Sequence, residues 1–395
     1  MKKLFVVIGL MALAVACSKL EPPAPVDDQV LDGPVDGLTY AQAAQHGQGD
    51  AAFTGQVFTK QTGLGPVFVA TSCGSCHSGD GKGHPFTTLT RFGQIDSTGN
   101  HFLNQGGPQL QDRALPGYQP EQIPAGATSA KFTPPTNTGL GFLELVPDVD
   151  ILSMSDPDDD NGDGIRGSPN WNGLPSFVTP EPNAIKRHGK YICRFGKKAG
   201  VYNLLQQTVN AYNQDIGITS AFQLNDVYSH LDIDPEISTN IINDVVFYLQ
   251  TLKAPIQRNQ NDAAVLAGKQ LFIDINCSGC HRPELKTGIS PVEALSNKKF
   301  APYTDLLLHD MGPGLDDGYT EGNAKTSEWR TAPLWGLGLA PKSQGGQYFL
   351  LHDGRANSIE EAIQLHGGEA ANAISAYNEL TEAERQKIIK FLKTL

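Results

Sequence analysis

Apolar positions recur at helical spacing in a few stretches and thin out between them. Over 262–274 they mark a helix that leads directly toward Cys277. The segment Thr381-Glu382-Ala383-Glu384 has the form of a capping box, and Ile388, Ile389, Phe391 and Leu392 give the following helix an apolar face. A third helix is predicted over 237–252 and a shorter one over 51–59. Residues 253–261, with Pro255 and several polar side chains, read as a linker. The two outer pairs, 51–59 with 237–252 and 262–274 with the C-terminal helix, predict two units of similar frame. The first unit has a long insertion.

The N-terminus follows a different pattern. Lys2 and Lys3 precede an apolar run from Leu4 to Val15, which is too short to span a bilayer and reads as an export signal. Leu13-Ala14-Val15-Ala16-Cys17 has the form of a lipoprotein signal over 1–17, with Cys17 as the lipidated residue; an ordinary secretory cleavage nearby is the alternative. Residues 18–45, rich in Pro and Asp at their start, read as a flexible tether. The 42 Gly and 26 Pro of the 395 residues point to a loop-rich chain. A formal charge of −12 argues against nucleic acid or an anionic membrane surface as partner. Membrane association is then expected only through Cys17.

Two short motifs change this picture most. Cys73-Gly74-Ser75-Cys76-His77 and Cys277-Ser278-Gly279-Cys280-His281 share the Cys-x-x-Cys-His spacing of c-type haem attachment. Two thiols on one turn can add to the two vinyl groups of a haem, and the adjacent histidine can meet the iron. A zinc site would want a further close Cys or His pair, and a redox dithiol has no use for the trailing histidine. With Cys17 as anchor and four cysteines on haem, only Cys193 remains of the 6, and it reads as inert packing. The expected fold is mainly α: two cytochrome c-like haem domains at 46–254 and 255–395, the first with the loop-rich insertion. Within that insertion Asp159, Asn161 and Asp163 alternate as calcium ligands do, but Asn170 stands where a closing Glu would be. A calcium site and a solvated acidic turn both remain open.

The residues resemble the di-haem oxidoreductase family of peroxidase or thiol-oxidoreductase type, related to the bacterial di-haem cytochrome c peroxidases. The resemblance rests on both haem motifs, on Gly139-Leu140-Gly141-Phe142-Leu143-Glu144 and the Asp156–Gly164 loop, and on Asp215-Ile216-Gly217-Ile218-Thr219. It rests further on Leu308-His309-Asp310-Met311-Gly312, on the stretch 329–338, and on His352-Asp353-Gly354 with the short helix after it. It implies His77 and His281 as iron ligands. In the peroxidases that short helix ends in a methionine ligand; the matching position here is His366, so His366 is expected above the second iron, with Met311 as rival. A His/His iron has a lower potential than a His/Met one. The resemblance also implies a distal glutamate, matched by Glu144, although a helix-start partner is an equal reading of that residue. His84 or His101 could cap the first iron, or it could be open. Trp329 or Trp335 could stand for the peroxidases' inter-haem tryptophan, or be packed core.

The function implied is reduction of peroxide, or a related small oxidant, at the first haem. Electrons would come through the second from a periplasmic donor such as a small cytochrome or cupredoxin. An electron-transfer protein with both irons closed, and an enzyme that oxidatively modifies a partner protein, are the alternatives.

Overall fold

The computed structural model describes residues 26, 30–93, 100–105 and 107–395. The signal segment 1–17, with Cys17, and the first part of the tether lie outside the described residues. The helices that order the molecule are α1 (Tyr40–Gly55), α2 (Leu140–Glu144), α3 (Leu204–Asp215) and α4 (Thr239–Thr251). In the C-terminal part they are α5 (Ala263–Asp274), α6 (Ile359–Gln364), α7 (Ala371–Glu379) and α8 (Glu382–Leu392). The long ones start where a short polar side chain satisfies a free backbone amide: Thr39, Asn203, Ser238, Asp262 and Thr381. Capping boxes close α1 (Thr39 with Gln42) and α8 (Thr381 with Glu384). Helix α1 starts at Tyr40, well before residue 51, because that cap sets its origin; its buried face is only His46, Gly49 and Phe53, too sparse for an apolar period to reveal.

Helix α1 packs across α4, and α5 across α8. Each crossing closes to backbone contact at one glycine. A Cβ on Gly49 would lie 2.0 Å from the Asp244 carbonyl oxygen, and one on Gly268 2.0 Å from that of Lys387. The N-terminal segment joins the first pair: Val35 N–H donates to the Thr251 carbonyl at 2.8 Å, and Lys253 N–H to that of Gly33 at 3.1 Å. The stretch read as tether is therefore packed from Leu31 onward, and its last residues are part of α1.

The expectation of a mainly α chain built as two cytochrome c-like haem domains does not hold. The chain is 34% helix and 13% strand, a mixed content with small sheets. Strands β1 (Val67–Phe68) and β3 (Arg113–Ala114) pair, as do β2 (Leu89–Gly93) and β4 (Thr128–Phe132). Strands β5 (Asn170–Asn172), β7 (Lys190–Cys193) and β6 (Lys186–Arg187) form a sheet in that spatial order. Strands β8 (Leu285–Lys286) and β9 (Lys299–Phe300) pair, and so do β10 (Leu308–Asp310) and β11 (Glu328–Arg330). All are antiparallel and two to five residues long. Segments so short cannot show a period of two, so the sequence pattern reads them as loop.

The largest apolar cluster crosses the 254/255 position: Phe142, Ile242 and Leu249 pack with Leu285, Leu306 and Trp335. A second joins Val265 and Phe272 of α5 to Ile388 and Phe391 of α8. Among the described residues no helix is long and apolar enough to cross a membrane.

The crossings give a stability test with an unusual sign. Gly→Ala inside a helix ordinarily gains about 0.5–1 kcal/mol. Gly268→Ala is expected to lose about 1–3 kcal/mol in urea denaturation, because the new methyl must push α8 away. A gain would show that this crossing is not in backbone contact.

Candidate functional site

Both Cys-x-x-Cys-His segments are single tight turns beside a helix crossing. In the first, Ser72 Oγ accepts from Ser75 N–H at 3.2 Å, Ser75 Oγ–H donates back to the Ser72 carbonyl at 2.6 Å, and His77 N–H donates to the Cys73 carbonyl at 3.0 Å. In the second, α5 ends and Asn276 takes a left-handed φ of 61°, a conformation asparagine tolerates. His281 N–H then donates to the Cys277 carbonyl at 3.1 Å.

The two turns face one cavity of about 470 Å³, lined by both Cys pairs, by His77 and His281, and by His366 at the end of α6. Much of the remaining lining is apolar, including Phe53, Leu143, Phe272, Leu350 and Ile363. Burial above all pushes the Cys73 and Cys277 thiols up to about 12, and raises Cys76 and Cys280 as well. Thiols raised in this way are the opposite of the activated thiolate that dithiol redox chemistry requires. Burial also lowers His77 and His281 to about 4 and lowers His366, so the three imidazoles are neutral. Neutral imidazole is the form that ligates a metal.

His281 and His366 face each other with ring centroids 6.5 Å apart. The Nδ1–H of His281 donates to the Tyr303 carbonyl at 2.9 Å, and that of His366 to the Ala362 carbonyl at 2.6 Å. This leaves Nε2 as the free donor atom of each ring, and the gap suits one metal ion held about 2 Å from each.

The other expected site residues are distributed less evenly. Glu144 Oε1 accepts from Leu204 N–H at 2.7 Å, at the start of α3, and Oε2 accepts from Gln250 Nε2 at 2.7 Å. Both oxygens are committed, and Glu144 is not among the chamber-lining residues. Carboxyls that do line the chamber are Asp215, Glu321 and Glu369, and of these Asp215 is close enough to Cys73 and Cys76 to raise both. Burial lifts it to about 6 against the opposing bond from Gln109 Nε2 and the Arg91 charge. His84 stacks on Phe86 (4.6 Å) and meets Phe349 edge-on (4.8 Å), His101 is exposed, and neither lines the chamber. Met311, Trp329 and Trp335 do line it. Trp329 lies flat on His352 of the His-Asp-Gly segment, centroids 3.6 Å apart, and His352 Nε2 bonds Asp317 at 2.7 Å.

In the acidic loop, Asp159 Oδ1 accepts from Gly164 N–H at 3.0 Å, Asn161 Oδ1 from Asp163 N–H at 2.8 Å, and Asp163 Oδ1 from Ile165 N–H at 2.8 Å. Asn170 is buried elsewhere, donating to the Lys198 and Glu321 carbonyls. Cys193 is buried beside Val178 and Tyr202.

Two further features carry groups whose role the sequence does not assign. One is His309, at β10, held between Asp305 (2.8 Å) and Glu369 (2.7 Å) and 3.5 Å from Cys280 Sγ. Burial would strip its proton, but the Asp305 charge and these bonds keep it protonated well above the usual histidine range. Among the described residues, Cys280, Asp305 and His309 bring three ligand-type atoms within 4.8 Å of one another. An imidazolium that donates from both nitrogens has no lone pair for a metal, so the trio is a hydrogen-bonded clasp. The other feature is a set of chamber-lining cations, Lys82, Lys197 and Arg330. Only the run Arg194-Phe195-Gly196-Lys197-Lys198 hints at it in the sequence.

Residues 129–395 match the family described as "Di-haem oxidoreductase, putative peroxidase". The second Cys-x-x-Cys-His motif and His366 fall inside that span; the first motif precedes it. Among solved structures, the chain is similar to hydrazine synthase of Kuenenia stuttgartiensis pressurised with xenon, at 12% identity and a TM-score of 0.38, over 95% of this chain and 99% of that one. No curated protein matches.

Three residues beyond His77, Asp80 is 5% exposed, in left-handed backbone at φ 54°, and accepts from Tyr248 O–H at 2.7 Å. Burial chiefly raises its carboxyl to about 6. A raised carboxyl makes the folded state prefer the acid form, so the full stability is present below about pH 4 and declines as pH rises to about 6. Asp80→Asn, which keeps the side-chain shape and tolerates the backbone, is expected to exceed wild type by about 2 kcal/mol near pH 8 and to match it near pH 3.5. Urea denaturation at the two pH values checks this; an equal difference at both would remove Asp80 as the titrating group.

Proposed function

Because the chain belongs to the di-haem oxidoreductase family, we propose that the chamber holds two haems and that the protein reduces peroxide or a related small oxidant. Cys73 with Cys76, and Cys277 with Cys280, would carry them by thioether bonds. His77 and His281 would ligate the irons from the attachment side, and His366 would close the second iron. The observation that carries this reading is the His281–His366 pair, two neutral imidazoles 6.5 Å apart across a chamber shared with both Cys pairs. When bound, the two groups supply electron relay from an external donor and reduction of the oxidant.

The chain's own contribution is orientation, exclusion of water and proton handling. The Tyr303 and Ala362 carbonyls fix the imidazoles through their Nδ1–H groups. The apolar lining keeps the thiols and imidazoles neutral. Near the first Cys pair Asp215 holds its proton up to about pH 6, and we assign it, rather than Glu144, the transfer of a proton to the departing oxygen. Neither His84 nor His101 lines the chamber, which supports an open position at the first iron. This reading routes no step through calcium; Asp159, Asn161 and Asp163 each accept one amide of their own loop through Oδ1, and the second carboxylate oxygens of Asp159 and Asp163 are left over for a cation. Thioether attachment is made outside the cytoplasmic membrane, which favours a periplasmic protein anchored through Cys17, with a small cytochrome or cupredoxin as donor.

Carbon monoxide added to the reduced protein is expected to bind one iron per chain, and two in His366→Ala. Binding to neither iron of the wild type would favour a pure electron carrier. Under peroxide turnover, Asp215→Asn is expected to lose about 100-fold in kcat, and Glu144→Gln to stay within about twofold, since the new amide oxygen can accept from Leu204 N–H and its NH2 can donate to Gln250 once that amide turns its oxygen inward. The reverse order would return the proton-transfer role to Glu144.

A further inference from the structure

Buried cations in this protein are matched with care, with one exception. Arg194 is paired with Asp148, and Arg91 lies 3.5 Å from Glu321. The Lys198 ammonium donates to three carbonyls, those of Lys325 (2.8 Å), Thr326 (3.1 Å) and Glu328 (2.8 Å). Lys82, Lys197 and Arg330 all line the chamber, yet among the described residues none forms an ion pair. Lys82 Nζ has the Leu351 carbonyl at 3.3 Å, and Lys197 Nζ has the Thr133 hydroxyl at 3.4 Å. Both contacts are long for a charged donor. Asp353, the acid nearest in influence to both lysines, is bound to Arg355 at 2.6 Å.

The three are held in place by backbone. Arg330 N–H donates to the Lys197 carbonyl at 2.9 Å and its Nε–H to the Gly196 carbonyl at 2.9 Å, so Lys197 and Arg330 move as one. Lys82 follows the first Cys pair in sequence, while Arg330 lies on β11 beside β10, whose His309 touches Cys280. The cluster thus forms where segments carrying the two motifs meet. Three like charges on the wall of an apolar chamber repel one another and are poorly solvated. Burial first, then Lys82 and Arg330, drive the Lys197 ammonium well below its ordinary value; burial lowers Lys82 to about 8 and Arg330 to about 10. A carboxylate entering this wall would remove the conflict, gaining charge-assisted bonds from two ammonium groups and from the Arg330 Nη2 edge.

We propose that Lys82, Lys197 and Arg330 form a carboxylate-binding site for the propionate groups of a haem held in the chamber. This rests on the haem reading given under Proposed function. The same cations could instead serve a diffusible carboxylate, and the experiment separates the two.

Lys197→Met and Lys82→Met replace each ammonium with an apolar chain of similar reach, and Lys197→Arg keeps the charge. All three are compared with wild type as holoproteins with two haems per chain confirmed. In each Met variant the midpoint potential of one haem is expected to fall, because an unneutralised propionate favours the ferric iron, while the other haem is unmoved. That potential should also become pH-dependent between about pH 5 and 8 as the propionate titrates, and its propionate band in resonance Raman should shift. Lys197→Arg should restore all three properties. Unchanged potentials, pH profile and propionate band in both Met variants would overturn the inference. A saturable shift caused by added acetate in wild type, absent in Lys197→Met and with potentials equal in acetate-free buffer, would assign the site to a diffusible carboxylate and also overturn it. A wild-type protein without two covalent haems would instead overturn the proposed function, and the propionate site with it.

Discussion

Two helix crossings, each closed to backbone contact at one glycine, set the positions on which the rest of the molecule depends. Gly49 brings α1 against α4 and Gly268 brings α5 against α8. Each pair holds a Cys-x-x-Cys-His turn beside it, so the relative placement of four thiols and two imidazoles follows from two close approaches that only glycine permits. The turns need little else locally. Ser72 and Asn276 set the first residue of each, and the short ring closed by the histidine amide aims both cysteines and the imidazole at the chamber.

The chamber in turn imposes an electrostatic rule. An apolar wall penalises any charge that is not matched, and the protein answers with neutral thiols, neutral imidazoles and a carboxyl at Asp215 that ionises late. Where a charge is kept near the wall it is tied down: His309 between two carboxylates, Arg194 against Asp148, Lys198 in a cage of carbonyls. Lys82 and Lys197 depart from that rule, and beside them Arg330 ties down Nε and Nη1 on carbonyls but leaves its Nη2 edge over, which is why the three point to a ligand group and not to the fold.

Much of the frame was legible in the sequence. Asp262 and Thr381 announced their helices because capping is a local, three-residue interaction. The Cys-x-x-Cys-His turns and the His352-Asp353-Gly354 segment were legible for the same reason: their chemistry is contained in consecutive residues. The strands were not, because pairs of two to five residues have no period of their own and exist only where another loop supplies a partner. The expectation of a mainly α, two-domain chain failed there. The largest apolar cluster, which draws on both sides of residue 255, was equally invisible.

At the site the division is similar. The residue types and spacing of the two motifs determined which side chains could carry the chemistry, and the register after His352 pointed to His366. Only the tertiary structure decided which of them meet. It set His366 facing His281 at 6.5 Å, turned Glu144 into the partner of α3 and Gln250, brought Asp215 to the first Cys pair, and gathered Lys82, Lys197 and Arg330 beside one another. The reason is physical: attachment and capping are short-range along the chain, whereas burial, charge pairing and the spacing of opposed imidazoles depend on segments tens to hundreds of residues apart being packed together.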